Sequence, residues 1–351
     1  MEQVRLGRTN LMVSNMGFGG IPIQRVTEDE AVAVVRKCLE LGVTFIDTAN
    51  GYTSSEERIG KAISGQRDRV IIATKTHAVS PREVENDLKL SLKRLGTEFI
   101  DLYQFHNISN IDGLKMILEL NGAMAVVEKA KRAGLVRHIG ASTHSMDMAK
   151  ELVKSGYFET IMFPFNFITC EAGGELLPLA REYDVGFIAM KPLAGGRLDN
   201  VTIAFKYLLQ FSDIVINVGI EKISEIEEVV SILDNPQWMT ATEQQEMERL
   251  RQELGTRFCR RCDYCQPCTQ DISISSVMTF PSRPKRLPPE RLFSEASSEL
   301  MEKAASCIEC GDCEERCPYN LPIREMIAEY IDQYRAEKKK YLSTLETPTK
   351  E

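Results

Sequence analysis

Val43-Thr44-Phe45-Ile46-Asp47-Thr48-Ala49-Asn50-Gly51-Tyr52 shows the pattern that most of the chain repeats. An amphipathic stretch, Glu28–Leu41, leads into a short β-branched run that ends abruptly in a carboxylate. Val70–Thr74, Phe99–Phe105, Val136–Ala141, Thr160–Phe163, Val185–Ala189 and Ile214–Val218 are runs of the same kind. Helical patterns such as Pro81–Leu95, Gly122–Ala133 and Glu175–Tyr183 separate them, Met16–Gly19 adds an eighth strand and Ser224–Leu233 an eighth helix. Near-continuous apolar strands alternating with helices are parallel strands covered by helices. Eight such units predict a closed (β/α)8 barrel over residues 1–255, not an open doubly wound sheet. Val4–Ser14, alternating around Gly7-Arg8-Thr9-Asn10, reads as a hairpin that plugs the bottom of the barrel.

Beyond the helical stretch Glu243–Leu254 the composition changes. Eight of the ten cysteines fall in two runs, Cys259, Cys262, Cys265, Cys268 and Cys307, Cys310, Cys313, Cys317, joined by a connector containing Pro281, Pro284, Pro288 and Pro289. The second run ends in Cys317-Pro318 and has the spacing with which bacterial ferredoxins hold iron–sulfur clusters. Paired Cys-x2-Cys motifs also make zinc sites, but four cysteines per run and the closing Cys-Pro favour two [4Fe–4S] clusters. Crossed ligation assigns Cys259, Cys262, Cys265 and Cys317 to one cluster, and Cys307, Cys310, Cys313 and Cys268 to the other. Gln266, Pro267 and Thr269 around Cys268 depart from the ferredoxin pattern. Residues 256–334, with the helix Ile323–Tyr334, are expected to form a small helical two-cluster ferredoxin-like domain, and Arg335–Glu351 a charged, solvated tail. Arg257, Arg260 and Arg261 beside the first run, against Glu309, Asp312, Glu314 and Glu315 around the second, predict the higher potential for the first cluster. Cys38 reads as core and Cys170 as a loop residue.

A net charge of −8 gives no basic face for nucleic acid, and no apolar run approaches the ~20 residues of a membrane span. Clustered cysteines with no N-terminal secretory pattern point to the cytoplasm.

In a barrel, residues ending the strands share one active site. Asp47, Lys75 and His106 end three of the predicted strands, and Tyr52 follows Asp47 by a short loop. A lone tyrosine is a weak acid at neutral pH; an adjacent ammonium favours its phenolate, and a carboxylate keeps that ammonium charged and in place. A histidine can orient a carbonyl oxygen or share the proton. Together the four suit carbonyl reduction.

Asp47-Thr48-Ala49-Asn50-Gly51-Tyr52-Thr53-Ser54-Ser55-Glu56-Glu57-Arg58-Ile59-Gly60, with Ala73-Thr74-Lys75 and Phe105-His106-Asn107, resembles the signature segments of the aldo-keto reductase family. The resemblance covers roughly Val4 to Leu233. It implies hydride transfer between NAD(P)H and a small carbonyl or alcohol, with Tyr52 as proton donor, Lys75 and Asp47 tuning it and His106 orienting the substrate. By the same resemblance Ser142 and Thr143 face the nicotinamide carboxamide. Thr143 replaces the usual asparagine, Met162 a common glutamine, and Met190 the ring that stacks on the nicotinamide. Lys191, Pro192 and Leu193 follow. Gly195, Gly196 and Arg197 would offer N–H groups and a cation to a pyrophosphate. Lys222 and Glu228 would meet the adenosine end. Glu225 stands where NADP-using relatives often have arginine, so NAD is as plausible as NADP.

Hydride carries two electrons and each cluster passes one. The reading favoured is a carbonyl–alcohol oxidoreductase with redox-active clusters, served by a flavin or an electron-transfer protein. A reductase with purely structural clusters is the alternative, and a non-catalytic barrel scaffold for an electron-transfer protein the third. Substrate determinants are expected in the loops Asn107–Leu120 and Thr169–Gly174.

Overall fold

The structure, a computed structural model, describes residues 1–346. The chain falls into two compact units, the first Met1–Gln245 and the second beginning at Glu246. That division lies within the helix Ala241–Gly255, N-terminal to the expected boundary at 255/256.

In the first unit, β1 (Gln3–Arg5) and β2 (Met12–Ser14) form the expected antiparallel hairpin. Then come β3 (Met16–Gly19), β4 (Phe45–Asp47), β5 (Ile71–Thr76), β6 (Ile100–Phe105), β7 (Val136–Ser142), β8 (Thr160–Pro164), β9 (Gly186–Met190) and β10 (Ile214–Gly219). These eight close into a parallel barrel in which β10 pairs with β3. All eight expected strands are present.

The helices between them begin and end where local chemistry dictates. Thr27 accepts the Glu30 N–H while Glu30 reaches back to the Thr27 N–H, so a capping box opens Glu28–Glu40. Ser80 caps Pro81–Leu95, with Pro81 in the first turn and Gly96 left-handed at its end. Amphipathic faces then cover the outside of the barrel.

The hairpin plugs the barrel from below. Leu6 and Val13 are buried in one cluster with Phe45, Leu102, Met162, Ile188 and Val215. Each such side chain contributes roughly 1.5–3 kcal/mol by leaving water. Gly7 has a φ of +52°, and a Cβ there would lie 2.1 Å from the Gly186 nitrogen, so only glycine lets the hairpin come this close.

Two expectations change. The loop Asn107–Leu120 contains a helix, Ile111–Leu118, capped by the Asn110 side chain. The expected solvated tail is helical as far as Glu346, because Ile323–Glu346 is one continuous helix. That helix is the spine of the second unit, whose core gathers Val277, Phe280, Met301, Met326, Ile327 and Tyr334. Cys265 and Cys317 belong to the same core. Among the described residues no helix is long and apolar enough to cross a membrane.

Candidate active site and cluster cavities

The strand ends bring the tetrad together. Lys75, on β5, donates to Asp47 Oδ2 at 2.7 Å and to the Thr48 carbonyl at 2.6 Å, with both ionic side chains almost wholly buried. Asp47 receives two further donors, Gln104 Nε2 at 3.2 Å and Asn217 Nδ2 at 3.0 Å. Burial pushes the Asp47 carboxyl upward; Lys75, Asn217 and Gln104 oppose it. Burial also works against the Lys75 charge, but attraction to Asp47, Tyr52 and Glu56 holds Lys75 above the ordinary lysine range. The Lys75 ammonium lies 5.2 Å from the centre of the Tyr52 ring. His106 meets that ring edge-on, 5.8 Å between centres.

Three residues of this site escaped the sequence reading. Gln104 and Asn217 are polar side chains inside largely apolar strands, and that contrast was the available signal. His77 stacks on His106 with 3.9 Å between ring centres. The family-signature segment also builds scaffold: Glu56 is buried and accepts from Thr74 at 2.7 Å and from Arg94 at 3.4 Å.

The expected nicotinamide residues divide. Ser142, at the end of β7, is buried and its Oγ accepts the Asn107 N–H at 2.9 Å, which leaves its own proton to donate. Thr143 is buried and its Oγ1 accepts the N–H of Ser145 at 3.2 Å, the residue whose own side chain caps the next helix. Met162 lies in the barrel-core cluster, 2% exposed, with Met190 packed partly buried against it. Lys191 has a left-handed backbone with φ of +57°; its carbonyl accepts from Asn166 at 2.9 Å and its Nζ lies 2.8 Å from His144 Nε2. Pro192 is buried and Leu193 half-buried. The N–H groups of Gly196 and Arg197 both donate to the Leu193 carbonyl, at 2.8 and 3.1 Å. Those two amides are therefore engaged in a turn, and the expected phosphate cradle is narrower than Gly195-Gly196-Arg197 suggested. Lys222 and Glu228 are exposed, at the cap and along the helix Ile223–Asp234. Glu225 Oε2 accepts the backbone N–H of Glu221 at 2.8 Å and of Lys222 at 3.1 Å.

In the second unit the cysteines surround two cavities. One is lined by Cys259, Cys262, Cys265 and Cys317, the other by Cys265, Cys268, Cys307, Cys310 and Cys313. Cys317 thus leaves its own run to join the first, and Cys268 does the converse. Gln266 places Cys268 by accepting its N–H at 2.9 Å and donating to the Ile272 carbonyl. The loops curl through left-handed residues Arg261, Asp263, Glu309 and Gly311. Backbone N–H groups of Arg261 and Gln270 point at Cys259 Sγ and Cys268 Sγ, each at 3.4 Å. Burial and neighbouring sulfurs push the Cys265 thiol up to about 12, so a set of thiolates here needs a metal cation between them. The donor set fits two clusters.

The charge contrast between the runs is smaller than expected. Arg257 pairs with Glu325 at 2.7 Å and also with Glu329, and the Arg260 guanidinium lies 3.8 Å over the Tyr319 ring. On the other side Arg324 neutralises Glu314 at 2.7 Å. Cys38 is buried in its helix, with burial raising its thiol to about 12, and Cys170 precedes the short helix Glu171–Gly174.

Comparison with known proteins agrees with both halves. Residues 15–202 match the model of the Aldo/keto reductase family, and residues 258–322 that of the 4Fe-4S dicluster domain. The uncharacterized oxidoreductase YqkF of Bacillus subtilis is 30% identical over 56% of this chain and 67% of its own length. The NADH-specific methylglyoxal reductase of Escherichia coli is 28% identical over 56% of this chain and 69% of its own. Among solved structures, the aldo-keto reductase AKR11C1 from Bacillus halodurans matches with a TM-score of 0.61 and 25% identity, over 71% of this chain and 96% of that one.

Proposed function

The chain belongs to the aldo/keto reductase family and carries a 4Fe-4S dicluster domain, and from that premise we propose that this oxidoreductase interconverts a small carbonyl and its alcohol with Tyr52 as proton donor. The observation that carries the reading is the buried Lys75–Asp47 pair under Tyr52. Tyr52 gives its proton to the carbonyl oxygen, and the Lys75 ammonium stabilises the phenolate left behind. Asp47, held by Gln104 and Asn217, keeps that ammonium charged at a depth where it would otherwise be costly. His106 orients the carbonyl.

A bound nicotinamide supplies the hydride. Ser142 would hold its carboxamide, and Gly195 and Lys191 the phosphates. Glu225 occupies the helix start with its own carboxylate, which repels a 2′-phosphate, so NADH is the favoured form. The NADH-specific relative supports the same choice. Bound clusters supply one-electron storage, with Cys259, Cys262, Cys265 and Cys317 as ligands of one and Cys268, Cys307, Cys310 and Cys313 of the other. We assign them a redox role, exchanging electrons with a partner protein. A structural role is the second reading, favoured by the place of Cys265 and Cys317 in the core of the second unit.

Tyr52→Phe tests the first part. Loss of NADH-dependent carbonyl reduction by at least about 100-fold, with NADH binding retained, is the expected result. Unchanged turnover would take the proton-donor role from Tyr52, and a wild type without carbonyl reduction would return the barrel to the scaffold reading. Reduction of holoprotein by dithionite with appearance of cluster EPR signals tests the second part.

A further inference from the structure

We propose that His77 is a positioning residue for this site: its imidazole, stacked on His106, fixes the plane in which His106 meets Tyr52 and the substrate oxygen. The inference rests on the carbonyl-reduction reading above.

The two ring centres lie 3.9 Å apart with 16° between planes, whereas His106 meets Tyr52 at 78°. Rotation of an imidazole about its Cβ–Cγ bond is intrinsically loose, so the plane of a catalytic histidine must be set from outside. A parallel ring on one face does this. It leaves the tilt of His106 against Tyr52 set, with His106 Nδ1 buried. The angle at which an imidazole nitrogen meets the substrate oxygen then follows from the plane.

The backbone beneath both imidazoles is tied at one buried residue, Thr76. Its carbonyl accepts the His106 N–H at 2.8 Å. Its hydroxyl accepts the Ala78 N–H at 2.9 Å, closing the turn that carries His77, and donates to Asp87 at 2.5 Å. Asp87 is held in turn by Asn50, whose side chain donates to its carbonyl at 3.3 Å. Gly51 is another neighbour of His77, where a Cβ would lie 3.6 Å from His77 Cδ2. His77 is exposed, so its stacking is not a by-product of burying an apolar group in the core. The segment that presents Tyr52 and the segment that presents His106 thus meet at His77.

The test compares His77→Ala with His77→Phe in cluster-loaded enzyme, using NADH and methylglyoxal as the probe pair. His77→Ala should lower kcat about 10- to 100-fold, the scale of a misoriented catalytic group, and leave the KM for NADH unchanged. His77→Phe keeps a flat ring on His106 and should return kcat to within about threefold of wild type. An unaffected His77→Ala, or a His77→Phe as slow as His77→Ala, overturns the proposal; the second result makes the imidazole itself the active group. If wild type turns over no carbonyl, the carbonyl-reduction reading fails, and the stack is judged by NMR. The ring-current shift of the His106 Cε1 proton should then move in His77→Ala and return in His77→Phe; a shift unmoved in His77→Ala overturns the stack as well.

Discussion

Lys75 donates to Asp47 across 2.7 Å in a place where neither side chain reaches water. Breaking such a pair from one side strands the other charge. Asp47→Asn leaves the ammonium without its counter-charge and should cost the barrel about 3–5 kcal/mol in urea unfolding. The double variant Asp47→Asn/Lys75→Met removes both charges and should recover most of that stability. It should not recover carbonyl reduction, because Tyr52 would lack the ammonium that stabilises its phenolate. Equal stability of single and double variants would show that the stranded ammonium is not the source of the loss.

Cys317 shares a cavity with Cys259, and this arrangement separates crossed from uncrossed ligation by iron content alone. Under crossed ligation Cys259→Ala/Cys317→Ala disables one cluster, leaving about half of the wild-type iron. Cys307→Ala/Cys317→Ala disables both. If each run held its own cluster, the first double variant would lose both and the second only one. Iron and sulfide analysis with EPR of the reduced proteins decides between them.

Glu225 holds the N–H groups of Glu221 and Lys222 with one carboxylate oxygen, so its charge and its capping role can be separated. Glu225→Gln keeps an acceptor at the helix start and removes the negative charge. The KM for NADPH should fall about tenfold or more relative to that for NADH, the scale of one unfavourable charge contact of about 1.4 kcal/mol, and the melting temperature should change little. An unchanged ratio would mean that the 2′ position lies away from Glu225.

The barrel was legible because strands buried on both faces are apolar along most of their length, and that signal survives in a single sequence. Tyr52, Lys75, Asp47 and His106 were legible because strand ends converge by topology. Gln104 and Asn217 were passed over for the opposite reason: their function is a contact between strands distant in sequence, and each by itself looks like an isolated polar residue. His77 stacks on the residue that follows the next strand, a contact no local pattern announces. The helix Ile111–Leu118 hid in a presumed loop because Ile111 and Met116 are exposed and blur its apolar face. The basic run Lys338-Lys339-Lys340 read as a solvated tail, yet lysine is a good helix former and the spine helix continues through it.

Glu159 makes one part of the barrel's acid stability assignable. Burial pushes its carboxyl up, but bonds from His138 at 2.7 Å, Lys131 at 2.6 Å and the Ile139 N–H at 2.9 Å outweigh burial and bring it down to about 2. A carboxyl whose folded pKa is depressed contributes stability above its unfolded value and loses it as pH falls through the folded one. The contribution is therefore complete near neutral pH, roughly 3 kcal/mol, and declines from about pH 5 to about pH 2. Glu159→Gln retains an acceptor for the Ile139 N–H but cannot ionise. The stability difference between wild type and Glu159→Gln should be largest near pH 7 and shrink on acidification. Taking this difference cancels any acid loss of clusters, which both proteins share. A difference that stays constant between pH 7 and pH 2 would show that the carboxylate is not preferentially stabilised by its partners in the folded barrel.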